Sequence, residues 1–439
     1  METRGGSAVL DAVKTNEVRF IQLWLTDLLG NLKSIEIPAS ELETALAQGI
    51  GFDGSSIHGF ARIDESDMVA VPDPSTFAIL PWNGVGRLIC DVVLPGGAPY
   101  EGDPRRALRR ATQRAADAGY RMHVGAELEY FYFRSETEPT PLDVAGYFDL
   151  SPQDRAAEIR RETVDALQTM GMSVEAAHHE VAQGQQEIDL RHDEALRVAD
   201  DLVTSRYVIK EIARRNGVHA TFMPKPMSAQ NGSGMHTHQS LATRHGRNAF
   251  FDANDPIHLS SIGRGYLAGI LRHAKEITGV CAQWVNSFKR LVPGYEAPVY
   301  ITWSCRNRSN MVRIPMYQHG KEAATRIEFR APDSACNPYL AFAAMLHAGL
   351  AGIERGYTLP DPVERDVFAM TPDERLGAKI DTLPGSLNEA IAAMQSSDLV
   401  REALGEHIFA KFIENKRIEW DRYRAHVHPY EVDAYLAVL

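Results

Sequence analysis

The sequence predicts an α+β protein of two domains: a small N-terminal domain of strands and turns (residues 1–100) and a larger α/β domain (residues 101–439). Three observations predict it. A chain of 439 residues exceeds what one hydrophobic core ordinarily serves. Its first hundred residues read as short strands between turns, and the rest as helices mixed with strands. Proline and glycine cluster between the two, at 95–104, which is linker composition.

Residues 19–25 alternate well enough for a strand. Leu29-Gly30-Asn31 supplies a turn, and 32–37 returns as the hairpin partner. Residues 40–48 read as a short helix with Ser40 as N-cap and Glu43 at the capping-box position. Residues 87–94 form a further strand. Beyond the linker, Asp103 as cap and Pro104 at the first position open a helix that Gly119 ends. A strand follows at 124–133. Helices are expected at 153–170, 193–215, 259–277, 337–355 and 400–414, with Asn337-Pro338 capping the fourth of these in the same way. No internal repeat or low-complexity tract occurs.

Hydrophobic residues make up 44% and charged residues 24%, as in ordinary globular chains. The formal charge of −12 argues against nucleic acid or an anionic membrane as the main partner. Arg105, Arg106, Arg109 and Arg110 read as one solvated helix face. The cysteines Cys90, Cys281, Cys305 and Cys336 form no CxxC pair, which disfavours a zinc knuckle or a thioredoxin-like site. Free thiols fit a reducing cytosol. No basic-then-apolar signal segment is seen. The longest small, apolar run, 339–353, contains His347 and falls short of the ~20 residues a spanning helix needs. A cytoplasmic protein without a membrane partner is expected.

Chemistry concentrates in a few segments. Asn286-Ser287-Phe288-Lys289-Arg290-Leu291-Val292-Pro293-Gly294-Tyr295-Glu296-Ala297-Pro298 holds two cations suited to an anionic substrate, a Pro-Gly turn, and Glu296 on a loop able to approach a ligand. Glu127 and Glu129 are two apart in a strand, hence on one face and roughly 6–7 Å apart. Such a pair repels itself unless cations or solvent intervene; a solvated strand face is the plainer alternative. His178-His179-Glu180-Val181-Ala182-Gln183-Gly184-Gln185-Gln186-Glu187-Ile188 adds two acids about a glycine turn, the alternative being a polar hairpin with structural histidines. Arg326-Ile327-Glu328-Phe329-Arg330 puts Arg, Glu and Arg on one face, alternatively a surface ion-pair row of little worth. Together, many glutamates and few histidines suit Mg²⁺ or Mn²⁺, not zinc, and Mg²⁺ commonly bridges carboxylates to phosphates.

In Asn231-Gly232-Ser233-Gly234-Met235-His236-Thr237-His238-Gln239-Ser240, the glycines permit close approach of a ligand, and His236, His238 and Ser240 share a face if the segment is extended. A glycine turn leading into a half-buried strand is the alternative. Neither a Walker A nor a GxGxxG pattern occurs. Arg306-Asn307-Arg308-Ser309 and Arg313 offer guanidinium forks suited to phosphate, or are plain surface arginines. Phe52-Asp53-Gly54-Ser55-Ser56 places Asp53 at a turn.

In this order, and at nearly this spacing, the segments resemble those of bacterial type I glutamine synthetases, over nearly the whole chain from Phe20 to His428-Pro429-Tyr430-Glu431. The resemblance implies an N-terminal β-grasp domain followed by a larger glutamine synthetase catalytic α/β domain. It also implies a homo-oligomer, a dodecamer of two hexameric rings, with each active site closed by the N-terminal domain of a neighbour. Its substrates would be glutamate, ammonium and ATP, with two Mg²⁺ or Mn²⁺ positions. Glu129, Glu180 and Glu187 match the ligands of the metal nearer the substrate, and Glu127, His236 and Glu328 those of the metal nearer the phosphates. Asp53, Ser56, Tyr147 and Glu180 match the ammonium pocket, with Asp53 taking the proton. Glu296 matches the closing acid of the flap. Arg290, Arg330 and Gly232 match glutamate-binding positions, with Asn231 beside them. Arg308 and Arg313 match phosphate-facing arginines, and Glu175, His238 and Ser240 nucleotide contacts.

Three departures accompany the resemblance. Ala282-Gln283-Trp284 stands where the family has Asn-Pro-Thr, and Phe288 replaces a tyrosine; both are expected near the substrate side and leave the amine open. Phe368 replaces the tyrosine modified by adenylylation, so that control is not expected, while Arg62 matches an arginine linked to glutamine feedback. The stretch 315–325 differs in length, so Lys321 is given no nucleotide role. Glutamate–ammonia ligase is therefore weighed against a γ-glutamyl ligase for a larger amine (polyamine, ethanolamine or aromatic amine). A non-catalytic assembly or regulatory homologue is the remaining class. A guanidine kinase shares a related core, but the Asp-Gly-Ser-Ser loop argues against it.

Overall fold

The computed structural model describes residues 2–55, 57, 67–150, 154–307 and 309–439. In the N-terminal part these form α1 (Glu2–Thr15), β1 (Phe20–Thr26), β2 (Leu32–Pro38), α2 (Leu42–Gln48), β3 (Ile50–Asp53), β4 (Asp67–Pro72), β5 (Ala78–Ile79) and β6 (Gly86–Val93). The strands lie in the order β2-β1-β6-β4-β3, with β5 on β6. β1 and β6 are parallel; the flanking pairs are antiparallel. This is the β-grasp arrangement. Alternation along β1 serves two cores. Ile21, Leu23 and Leu25 pack with Val9 and Val13 of α1 and Leu42 of α2, whereas Trp24 joins the core of the larger domain.

Two local expectations change here. Helix α1 was not foreseen among the strands. Residues 39–41 make a 3₁₀ turn, so α2 begins at Leu42 behind Glu41 and the Ser40 cap does not form.

The larger domain contains α3 (Pro104–Asp117), β7 (Tyr120–Phe133), α4 (Ala157–Thr169), β8 (Val174–His179), β9 (Gln185–Glu194), α5 (Ala195–Arg215), β10 (His219–Thr221) and β11 (Met235–Thr243). It continues with α6 (Ser261–Arg272), α7 (Ala274–Cys281), α8 (Ser287–Arg290), β12 (Trp303–Ser304), β13 (Val312–Arg313), β14 (Ile327–Phe329) and α9 (Pro338–Glu354). Short helices α10 (Pro372–Gly377), α11 (Leu387–Gln395) and α12 (Asp398–Leu404) precede α13 (Glu406–Arg424) and α14 (Pro429–Tyr435). The strands order as β12-β13-β14-β11-β7-β9-β8, with β10 on β7. Ala126, Leu128 and Tyr130 of β7 face a core shared with α3, α5 and α9.

Asp103 caps α3 through its side chain, as expected, and Asn337 caps α9. The helix expected at 259–277 is instead two, broken at His273, and the one at 400–414 is broken by Gly405 at φ 78°. The arginine face of α3 is not simply solvated. Arg105 is 2% exposed and pairs with Asp73 (2.8 Å) and Asp91 (2.6 Å) of the small domain and Asp200 (2.8 Å) of α5. Carboxylates from both domains converge on it, so it stitches them together. Nearby, Gln283 donates to the Leu29 carbonyl (2.8 Å) and Asn337 to that of Leu28 (3.1 Å). Gly30, at φ 88°, lies so close that a Cβ would meet Asn337 Cα at 2.9 Å. Among the described residues no helix is long and apolar enough to cross a membrane.

Candidate active site

The face of the large sheet away from α3, α5 and α9 floors a cavity of about 690 Å³. Antiparallel register builds it. His236 stands opposite Glu127, Glu187 opposite Glu129, His178 opposite Glu187, and Arg313 opposite Glu328. Directly opposed residues point to the same face, so six strands deliver their polar side chains together. Glu127 bonds through Oε2 to His236 Nδ1 and through Oε1 to His238 Nε2, both at 2.7 Å. Glu328 is 1% exposed and accepts from Arg330 (2.6 Å) and Arg313 (2.5 Å). It is thus a buried hub rather than part of a surface ion-pair row. Glu129 accepts from the Gly234 N–H (2.9 Å) and Gln185 Nε2 (3.0 Å), and Glu187 lies 2.9 Å from His178 Nε2.

The electrostatics divide the floor. Burial works to raise Glu127 and Glu328, but His236 and His238 around the first, and Arg330 with His236 around the second, hold both below the usual range. Glu129 and Glu187 go the other way. Burial raises them, and neighbouring acids, Glu180 foremost for Glu129 and Glu127 for Glu187, raise them further. Glu180 is also raised by burial, and Asp189 is pushed up to about 6. That half of the floor carries more negative charge than its partners balance. His236 is lowered by burial and by Arg330, which favours the neutral imidazole a metal needs.

These donors fit a hard divalent cation. Glu127, His236 and Glu328 each offer an atom within 4.8 Å of the other two, and so do His178, Glu187 and Asp189. Glu129 and Glu180 share the wall but belong to neither close set.

The walls come from loops. Arg290 is buried at the end of α8 and donates to the carbonyls of Ala331 (2.9 Å) and Arg330 (3.0 Å). A Cβ on Gly232 would meet Pro224 O at 2.3 Å, and one on Gly234 would meet Arg290 Nη2 at 2.5 Å. These glycines make room for the protein's own arginine and backbone. Gly294 and Glu296 both adopt left-handed conformations (φ 98° and 58°), and Asn231 donates to the Glu296 carboxylate at 3.3 Å. Tyr147 and Phe148 stack at 4.0 Å, with His178 edge-on to both.

All six expected metal ligands reach this cavity, as do Tyr147, Asn231, Gly232, Arg290, Glu296, Arg313 and Arg330. Other residues named from the sequence are not on its wall. His238 supports Glu127 from beyond the edge, Ser240 lies further along β11, Glu175 is exposed on β8, and Asp53 is exposed at the end of β3, accepting from the Ser55 N–H at 2.8 Å. Ser56, Arg62 and Arg308 lie outside the described residues. Lys289 turns away, its ammonium 5.3 Å from the Tyr423 ring, so only one of the two adjacent cations serves the cavity. Ala282, Gln283 and Trp284 are also off the wall: Gln283 is buried at the domain seam, and Phe288 in the core. Sequence reasoning passed over His178 as structural and missed Asp189. Asp189 repeats beyond Glu187 the two-residue spacing of Glu127 and Glu129, which was the available signal. Gln185 and Phe148 carried no such signal.

Comparison with known proteins gives a concordant picture. Residues 17–95 match the family model "Glutamine synthetase, beta-Grasp domain" and residues 101–435 match "Glutamine synthetase, catalytic domain". The chain is 51% identical to a glutamine synthetase of Mycobacterium tuberculosis (strain ATCC 25618 / H37Rv), over 98% of both chains. It is 49% identical to one from Thermus thermophilus, again over 98% of both. Among solved structures, one titled "GmaS/ADP complex-Conformation 1" superposes with a TM-score of 0.91 at 32% identity, over 98% of this chain and 99% of that one.

Proposed function

The chain belongs to the glutamine synthetase family, and from that premise we propose that it is an ATP-dependent ligase joining glutamate and ammonium into glutamine through a γ-glutamyl phosphate. The observation that carries this reading is the acidic floor. Six potential metal ligands surround one cavity, and half of them are raised by burial and mutual repulsion.

A carboxylate is a poor electrophile, so amide formation requires its activation. Glu127, His236 and Glu328, and Glu129, Glu180 and Glu187, would hold divalent cations, which would supply Lewis-acid charge at the phosphates. Arg290 and Arg330 bind and orient glutamate, with Asn231 and Gly232 beside it. Arg313 and Arg308 face the transferring phosphoryl group and stabilise its charge. His238, Ser240 and Glu175 hold the nucleotide. Tyr147, Ser56 and Glu180 hold ammonium, and Asp53 takes its proton. Glu296 closes the flap and excludes water. Asp53 is exposed and off its own chain's cavity wall, which supports a site completed by a neighbouring copy, in a homo-oligomer we assign as a dodecamer of two hexameric rings.

A second reading is a γ-glutamyl ligase for a larger amine, favoured by the broad stacked face of Tyr147 and Phe148 at the cavity mouth. The test is ATP- and glutamate-dependent phosphate release with Mg²⁺ or Mn²⁺, comparing ammonium with a panel of amines. Saturation by ammonium with stoichiometric glutamine is expected. Saturation by a polyamine with negligible response to ammonium would transfer the assignment to the second reading. No amine-dependent turnover with either metal would overturn both.

A further inference from the structure

We infer that Lys225 is a positioning residue that holds the Glu296 flap closed, acting through the ring of Tyr295. The inference rests on the ligase reading above and adds a residue and a role to it. Lys225 is 7% exposed, yet no carboxylate is paired with it among the described residues. Its ammonium donates to the Gln230 carbonyl and sits 3.6 Å from the centroid of the Tyr295 ring. A buried cation must find compensation. Among the described residues a carbonyl and an aromatic face supply it, and a desolvated ammonium gains more from such a face than an exposed one does.

The two sides of this contact differ in rigidity. On the anchor side, the Lys225 N–H donates to Asn286 Oδ1 (2.7 Å), and Asn286 Nδ2 donates back to the Lys225 carbonyl (3.0 Å). The adjacent Pro224 carbonyl accepts from the Ser233 N–H (2.8 Å). On the flap side, Pro293 and Gly294 are exposed, and Glu296 reaches Asn231 only at 3.3 Å. Tyr295 therefore provides the firmer tether. Because the ammonium also grips Gln230, next to Asn231 and Gly232, it ties the flap to the wall segment that borders the substrate.

The consequence is protection of the acyl phosphate. With the flap loose, a water oxygen bonds to the acyl carbon (Cδ of the glutamyl group) and the bond from that carbon to the phosphate oxygen breaks. One water proton passes to the phosphate and the other to solvent. Glutamate and inorganic phosphate leave, and ATP is consumed without an amide product.

The experiment compares wild type with Lys225→Met, Tyr295→Leu, Lys225→Arg and Tyr295→Phe. It reads phosphate released per glutamine formed, the glutamate KM against kcat, and hydrogen exchange of residues 292–298 in the ligand-free protein. Lys225→Met keeps the aliphatic stem and removes the charge. It and Tyr295→Leu should each raise the phosphate-to-glutamine ratio and speed flap exchange by about 2- to 30-fold, the factor one cation–π contact is worth. Lys225→Arg and Tyr295→Phe, which keep a cation and a ring, should restore coupling. Unchanged ratio and exchange in Tyr295→Leu, whose side chain is only partly buried, would overturn the inference even if Lys225→Met fails to fold. Absence of any glutamine from the wild type would instead count against the ligase reading, and the exchange measurement would still decide the role of Lys225.

Discussion

The two faces of β7 are made of neighbouring residues and behave as opposites. Ala126, Leu128 and Tyr130 point back into the helical layer and are essentially unexposed. Burying side chains of this kind stabilises by about 1.5–3 kcal/mol each for the larger ones. Glu127 and Glu129 point forward into the cavity, among acids whose burial opposes their charge. One strand thus contributes stability on one side and stores electrostatic tension on the other. The back face holds the floor flat enough for the front face to tolerate like charges that cations would relieve. Changes on the two faces should therefore separate stability from activity.

The largest effect is expected at the back. α6 and α9 cross through Gly265, Gly269, Gly349 and Gly352, and a Cβ on Gly352 would meet the Gly265 carbonyl oxygen at 2.0 Å. Backbone on both sides cannot yield, so Gly352→Val should cost more than about 4 kcal/mol, read as loss of soluble, cooperatively melting protein. A wild-type melting temperature would break the claim that this crossing supports the floor. Next in size is a front-face change. Glu187→Gln keeps the shape and removes one of the crowded charges. Ligase turnover should fall about 10²–10³-fold, while the metal-free protein melts at the same temperature or higher. A parallel fall in melting temperature would mean that the acids hold the fold as well as the ligands.

How much of this was legible follows the same division. Period-two spacing exposed Glu127 with Glu129 and His236 with His238, because strand geometry is local. Asp103-Pro104 and Asn337-Pro338 marked helix starts correctly, because caps are local too. What the spacing could not reveal was cross-strand register, which brings His178 to Glu187 and turns Glu328 from a surface residue into a hub. Nor could it tell which way adjacent side chains turn in the four-residue α8, where Arg290 goes inward and Lys289 outward. Arg105 looked solvated because its three aspartates lie 14 to 95 positions away in the chain. The unusual Gln283 proved to serve the domain seam, a contact made 254 residues away at Leu29.

The smallest expected effect sets one buried imidazole of the helical layer against the raised carboxylates of the front face, by the sign of their response to acid. His347 of α9 is pushed down to about 3, first by burial and then by Arg114 and Arg110 of α3; Arg114 Nη1 lies 2.7 Å from its Nδ1, and Arg114 itself pairs with Glu354 and Glu402. Unfolded, the imidazole takes up a proton below about 6.5; folded, it stays neutral down to about 3. The unfolded state thus binds more protons, and stability is lost as pH falls from about 6.5 toward 3, by about 2 kcal/mol at pH 5. Glu129 and Glu187 are shifted upward, so there the folded state binds more protons, and falling pH restores stability between their raised values and the ordinary carboxylate range. Denaturant unfolding of metal-free wild type and His347→Gln at pH 8 and pH 5 separates the terms. The variant should lose the His347 share of the acid sensitivity, so that what remains is the balance of His236, which is also lowered, against the raised Glu129 and Glu187. If both proteins weaken equally toward pH 5, the acid sensitivity does not lie in the helical layer, and the front-face acids are better compensated than their crowding implies.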